Sequence, residues 1–294
     1  MIKKNLLLFV ALSTIVSFEL CGQQAIETPQ HFGQFYNNPI INIARNGLDS
    51  KLEITLDNQS NVGRFNGVST SYFSLFYTPK SEESSKNTYG IYLYNDKEGD
   101  FLFRRKVNFS FARHQQLTES WNLALALSGG IHIFGIKPTK NTGAYSANSF
   151  DGNSSLLLYS DKVQFGLAMN QFTNSTIQPV SQQIVLKRHY YLYSQYLWTK
   201  GKLDLIPGAY YKYVKINDPL SLQKSSTLGV SLRAVSGIIL FGASYDSYGM
   251  YFTAGLNKWN LNNNELNIDF TYFVPTAQTN IYVNRMEINL RLKI

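Results

Sequence analysis

Residues 284–294 read NRMEINLRLKI, with Met286, Ile288, Leu290, Leu292 and Ile294 on one side and Glu287, Asn289, Arg291 and Lys293 on the other. A period of two is that of a β-strand with one apolar and one polar face, whereas a helix would space its apolar residues three and four apart. The segment before it repeats the pattern: Leu266, Ile268, Phe270 and Tyr272 alternate with Glu265, Asn267, Asp269 and Thr271. Further back, Val163, Phe165, Leu167 and Met169 alternate with Gln164, Gly166 and Ala168. Trp121, Leu123, Leu125 and Leu127 alternate with Asn122, Ala124, Ala126 and Ser128. Val107, Phe109 and Phe111, and then Leu52, Ile54 and Leu56, carry the alternation to the start of the chain's regular part.

One half-buried soluble strand also alternates, so the number and length of the segments decide. They begin near residues 51, 68, 88, 105, 120, 154, 162, 187, 202, 223, 236, 249, 264 and 284. About fourteen segments of about ten residues each match an even-stranded barrel whose tilted strands cross a bilayer. After the N-terminal leader, no apolar run reaches the roughly 18 residues of a spanning helix. The longest, residues 123–136, is broken by Ser128, Gly129, Gly130 and His132. With the first strand leaving the periplasm, residues 137–153, 171–186 and 274–283 are expected as outer loops. Residues 117–119, 160–161 and 200–201 are then periplasmic turns. The fold expected is all-β: a transmembrane antiparallel up-and-down β-barrel of about 14 strands over residues 51–294.

Composition agrees with that reading. The 294 residues include 20 Tyr and 19 Phe, yet charged residues are only 16%, against roughly 25% in soluble domains. Tyr72, Phe73, Phe76 and Tyr77, the block 190–198, Tyr210, Tyr211 and Tyr213, and the block 245–252 fall near segment ends. Rings there are expected to form the aromatic girdles of a membrane barrel. Net charge is +8, but Lys and Arg are scattered with no basic run of five, which argues against nucleic acid and for loops facing anionic lipid. Lys3 and Lys4 precede an apolar core over residues 6–16, a secretory signal with its cut expected after Gly22. Residues 1–22 are then a signal peptide, 23–50 an irregular N-terminal segment and 51–294 the barrel. The single cysteine, Cys21, leaves with the signal, so no disulfide is expected.

Within the irregular segment, residues 31–47 read HFGQFYNNPIINIARNG. Asn38-Pro39 and Asn46-Gly47 are turn dipeptides, and Phe32, Phe35, Tyr36, Ile40, Ile41 and Ile43 carry more apolar weight than a solvated tail. The segment is expected to pack at the periplasmic end of the barrel or in its lumen. Phe35 and Tyr36 would anchor it, Pro39 would fix its direction, and Gln34, Asn38 and Asn42 would hydrogen-bond otherwise unpaired backbone. These six residues are the candidate plug or partner contacts.

Gln34, Phe35, Asn38, Pro39, Asn42 and Gly47 also resemble the N-terminal signature of the PorP/SprF family, and Arg188-His189-Tyr190-Tyr191-Leu192 resembles a strand start of the same family. The resemblance implies an outer-membrane barrel of type IX secretion, non-enzymatic and without cofactor. It further implies partners: outer-membrane lipid, an adhesin-like secreted cargo whose export or surface attachment it assists, and periplasmic, peptidoglycan-linked components that it docks.

Side-chain chemistry offers little else. His31, His114, His132 and His189 have neither metal-site spacing nor cysteine partners. Ser128 and His132 share a strand face but lie roughly 13 Å apart, too far for proton transfer. Gly129-Gly130 in mid-strand suggests a bulge or bend. The competing reading is a passive porin or small-solute channel. Asp57, Asp204, Lys212, Arg233, Asp269, Arg291 and Lys293 are candidate lumen charges. A porin would gather them at a constriction, whereas a docking barrel would cross-pair them and fill its lumen with the N-terminal segment.

Overall fold

A computed structural model describes residues 41–48, 50–63, 67–79, 84–138, 143–178, 184–214, 226–261, 264–276 and 284–294. Its strands in chain order are β1 (Leu52–Asn61), β2 (Val68–Tyr77), β3 (Ser85–Glu98), β4 (Leu102–Gln116), β5 (Asn122–Ile136), β6 (Tyr145–Tyr159) and β7 (Val163–Asn170). A small hairpin follows, β8 (Thr176–Ile177) and β9 (Ile184–Val185). Then come β10 (His189–Tyr196), β11 (Trp198–Lys200), β12 (Leu203–Val214), β13 (Ser226–Ser236), β14 (Ile239–Tyr245), β15 (Gly249–Leu261), β16 (Asn264–Pro275) and β17 (Arg285–Lys293). Each wall strand pairs antiparallel with its sequence neighbours. β10 and β11 pair in turn with β12, so they form one wall strand interrupted at Leu197. With the β8–β9 hairpin set aside, 14 strands close into a barrel.

Closure is made by β1 and β17, which run in register from Glu53 opposite Lys293 to Asn61 opposite Arg285. At their end, the Lys51 and Leu52 amides both donate to the Ile294 carbonyl, at 3.1 and 3.0 Å. A closed ladder leaves no edge, the condition a sheet must meet in hydrocarbon.

Alternation sorts the side chains as the sequence implies. On β4, Arg104, Lys106, Asn108, Ser110, Ala112 and His114 are buried while Val107, Phe109 and Phe111 point out. Outward rings and aliphatics are as bare as Phe109 at 65% and Leu228 at 66%, exposures that hydrocarbon covers. Loops divide the two ends. Residues 117–121, 160–162 and 201–202 are tight turns at one end, the periplasmic end of a bacterial barrel. Most of the longer connections lie at the other end, with the β8–β9 hairpin folded in one of them; residues 78–84 at the first end and the short 99–101 turn at the other depart from that division.

Three details depart from the sequence reading. β6 starts at Tyr145, so the outer loop expected over 137–153 shortens to the residues after Ile136. Gly129-Gly130 makes no bulge, because the β4–β5 and β5–β6 ladders run through it in unbroken register. The aromatic blocks are not wholly girdle. Phe73 and Tyr77 face out, but Tyr72, Phe76, Tyr191, Tyr193, Tyr210, Tyr248 and Tyr251 are buried inside. Successive strand residues face opposite ways, so a run of aromatics must fill both faces.

Candidate functional site

The lumen is occupied, and its lower part is built around residues 41–48. Asn42 starts a single 3-10 turn, Ile43–Arg45, as its N-cap: its Oδ1 accepts the Ala44 amide at 2.9 Å. Its Nδ2 donates to the Leu156 carbonyl at 3.2 Å and to the Tyr193 hydroxyl at 3.0 Å, tying the turn to β6 and β10. The Ala44 amide is shared with Ser155 Oγ at 2.9 Å. Arg45 bonds Gln164 on β7. The Asn46 carbonyl faces His114 Nε2 at 2.8 Å, and His114 Nδ1 lies 3.1 Å from the Tyr159 hydroxyl. A carbonyl only accepts, so Nε2 carries the proton. Lys86 Nζ donates to the Leu48 carbonyl at 2.8 Å.

The wall is cut to receive this turn. Ile43 and Ala44 pack among Ala112, Ala124, Ala126, Leu157, Tyr193 and Tyr210, and Ile41 packs on Ala168 and Tyr191. Alanine at inward position 112 of β4 and at successive inward positions 124 and 126 of β5 leaves the radius that a second layer of backbone needs. Gly47 has φ +77°, and a Cβ there would run into the Thr78 and Thr88 hydroxyls, which bond each other at 2.9 Å. Only glycine meets both conditions. Asn42→Leu removes the cap and both wall contacts, so it is expected to loosen the segment. Planar-bilayer recordings should show more frequent conducting events than wild type, and unchanged recordings would deny Asn42 its anchoring role.

Above the turn, charges are paired across strands. Lys106 meets Asp151, both buried, and Asp151 Oδ1 also accepts the Gly152 amide at 2.7 Å. Arg104 lies between Asp96, at 3.7 Å, and Glu98, and Thr70 donates to Asp96 at 2.7 Å. Tyr92 receives Asn108 and Asn153 at 2.5 and 2.6 Å. On the seam, Asn289 donates to Asp57 at 2.8 Å and Arg291 faces Glu53 at 3.5 Å. Asp246 accepts the Tyr210 and Tyr251 hydroxyls at 2.5 and 2.9 Å and the amides of Tyr248 and Gly249. That inward anchor explains why the β14–β15 connection is short for the outer end. At the top, Ile177, Ile184 and Leu186 of the hairpin region cluster with Phe134.

Of the six candidate contact residues, Asn42 is seated at the centre of the lumen contacts. Gln34, Phe35, Tyr36, Asn38 and Pro39 lie outside the described residues. Of the candidate lumen charges, Asp57, Lys212, Arg233, Asp269 and Arg291 are buried inside, while Asp204 and Lys293 are only half-buried, at the short-turn rim. Lys106, Asp151, Arg104, Asp96 and Asp246 were absent from that set. Their signal was parity alone, since each occupies an inward position of its strand or turn. Among the described residues, no group of three or more His, Cys, Asp or Glu comes together to hold a metal.

A closed 14-strand barrel with an apolar outer wall and a polar interior is an outer-membrane β-barrel. The chain belongs to the PorP/SprF family: the profile described as type IX secretion system membrane protein PorP/SprF matches residues 23–291. Its fold is similar to that of solved barrels at low identity. The CymD monoaromatic hydrocarbon channel aligns with TM-score 0.54 at 12% identity, covering 92% of this chain and 95% of that one. The Ralstonia pickettii toluene transporter TbuX aligns with TM-score 0.52 at 10% identity, covering 82% and 87%. A Pseudomonas aeruginosa FadL homologue aligns with TM-score 0.52 at 8% identity, covering 87% and 92%. At such identity the likeness is one of fold. No curated protein matches the chain by sequence.

Proposed function

We propose that this chain is a non-enzymatic accessory barrel of type IX secretion, exported by a signal peptide over residues 1–22. Its N-terminal segment, residues 23–50, closes the lumen from the periplasmic side and presents a docking surface to peptidoglycan-linked parts of the machinery. The barrel, residues 51–294, then assists export or surface attachment of an adhesin-like cargo. The observation that carries this reading is the seating of residues 41–48 inside the barrel at its short-turn end. The turn is held there by hydrogen bonds to β4, β6, β7 and β10, with Asn46 and Leu48 near the short turns and Ile41 farther up the lumen against Ala168 and Tyr191. Gln34, Phe35, Tyr36, Asn38 and Pro39 are then the residues that meet a periplasmic partner, with the two rings as anchors.

A passive small-solute channel is the second reading, favoured by the similarity of the fold to a monoaromatic hydrocarbon channel and a toluene transporter. It requires an open path, whereas residues 41–48 occupy part of the lumen here and several charges, Lys106 with Asp151 and Arg104 with Asp96 and Glu98, are paired across strands. Deleting residues 31–47 separates the readings. Export of cargo should fail while the barrel still folds and reaches the outer membrane. Loss of folding would make the segment structural only. Intact export would end the docking proposal.

A further inference from the structure

The outer wall carries one feature that neither plugging nor docking uses. On β5, β7, β16 and β17 the outward residues between the strand ends are Leu, Ile, Val, Phe, Met, Tyr and Gly. On β1 to β4 the apolar band ends toward the loops at a polar row, Asn58, Ser71, Asn95 and Arg105, which stand opposite one another in direct cross-strand register, with Ser60, Ser69, Lys97 and Phe103 one step nearer the rim. Ile288 and Ile133 bound the row on either side. Each of the four lies three residues from the loop end of its strand, about 10 Å along it at the usual rise. That is the depth of the outer leaflet's headgroups, just above the apolar band.

The row is already ordered. Asn58 Nδ2 donates to Ser71 Oγ at 2.9 Å, and Arg105 Nε donates to Asn95 Oδ1 at 3.2 Å. The Arg105 guanidinium rests 4.7 Å above the Phe103 ring, and exposed Lys97 is one step nearer the rim. Directly beneath runs an apolar row in the same register: Leu290, Leu56, Phe73, Leu93 and Val107. Together the two rows line a shallow lateral groove of about 710 Å3. Its upper part offers the Arg105 guanidinium with amide and hydroxyl groups, Lys97 stands just above it toward the rim, and its lower part offers a trough of hydrocarbon.

We propose that this groove holds one phosphorylated, acylated saccharide lipid of the outer leaflet. Arg105 and Lys97 take the phosphate, for which guanidinium is the preferred planar donor. Asn58, Ser71 and Asn95 hydrogen-bond the sugar, and an acyl chain lies along Leu56, Phe73 and Leu93. A plain phospholipid would satisfy the cation and the trough but bring few hydroxyls to Asn58, Ser71 and Asn95, whose amide and hydroxyl groups keep donor and acceptor capacity beyond the Asn58–Ser71 and Arg105–Asn95 bonds. A protein partner would bury a broad area, whereas the polar groups here span a single row.

Native mass spectrometry of the folded full chain in mild detergent tests this, with bisphosphorylated lipid A and, separately, phosphatidylglycerol as probes. Wild type should retain one lipid A. The double substitution Arg105→Leu with Asn95→Leu should lower its occupancy at least about tenfold, the loss of one charge-assisted contact or more. Lys97→Gln, which leaves the wall's packing untouched, should lower it less but in the same direction. Arg113→Leu, outward on β4 near the opposite end, should leave it unchanged. Heat-modifiable gel mobility reports that each variant is folded. Equal lipid A retention by the double variant and wild type would overturn the proposal, as would equal retention of phosphatidylglycerol by wild type. A protein co-purifying with wild type and lost from the double variant, with lipid A unbound, would also overturn it.

Discussion

Asp151→Leu is expected to destabilise the folded barrel by about 3–5 kcal/mol, because it strands the buried Lys106 ammonium without a counter-ion. Asp151 has no exposure to solvent and Lys106 has 7%, so neither charge can relax outward into water. The Gly152 amide also loses its acceptor, which adds the cost of one unmade hydrogen bond. Replacing both partners, as Lys106→Met with Asp151→Leu, should recover most of the loss, since an apolar pair of similar volume needs no desolvation. Reversible urea refolding into detergent micelles or lipid vesicles measures both. A double variant no more stable than Asp151→Leu would show that the pair is not coupled.

On the outer wall the largest effect comes from charge placed in lipid. Ile268→Arg should cost about 2–4 kcal/mol, as a midplane cation on the hydrocarbon face does, and Leu290→Arg the same. Asn289→Arg, one residue away, should cost little. Its position lies in register between Asp57 and Asp269, so an added guanidinium meets two carboxylates. Equal losses at residues 289 and 290 in the same refolding assay would contradict the assignment of faces.

That contrast also explains what could be read without coordinates. Lipid and lumen impose opposite polarity on successive residues, so strand identity is written locally in pairs such as Leu290 and Arg291. The fourteen segment starts accordingly fall close to the wall strands. β6 is the exception that follows from the same rule. Outward Ser146 and Asn148 stand on the part of the strand that rises above hydrocarbon, where no apolar residue is demanded. Pairing inside the lumen was not legible at all. Lys106 on β4 reaches Asp151 on β6 across β5, and at Gly130, between them, a Cβ would strike the β4 backbone and Asn108. Spacing suggested a bend at that glycine; the fold uses it as clearance. The alanine bed that receives Asn42 could be known only after the register was.

The seam between β1 and β17 has a consequence for how the molecule comes into being. Its partners are drawn from almost opposite ends of the chain, Glu53 with Lys293 and Asn61 with Arg285. Loop-closure entropy must therefore be met in full before that ladder gives any return, and chains dominated by such distant contacts fold slowly. Until Arg285–Lys293 has been synthesised and delivered, every partial sheet has two bare edges with apolar residues on one face. Such an intermediate is a template for aggregation. The rate of assembly, more than the depth of the final energy well, is then what the cell must manage, and an escort that shields edge strands becomes a requirement of the topology itself.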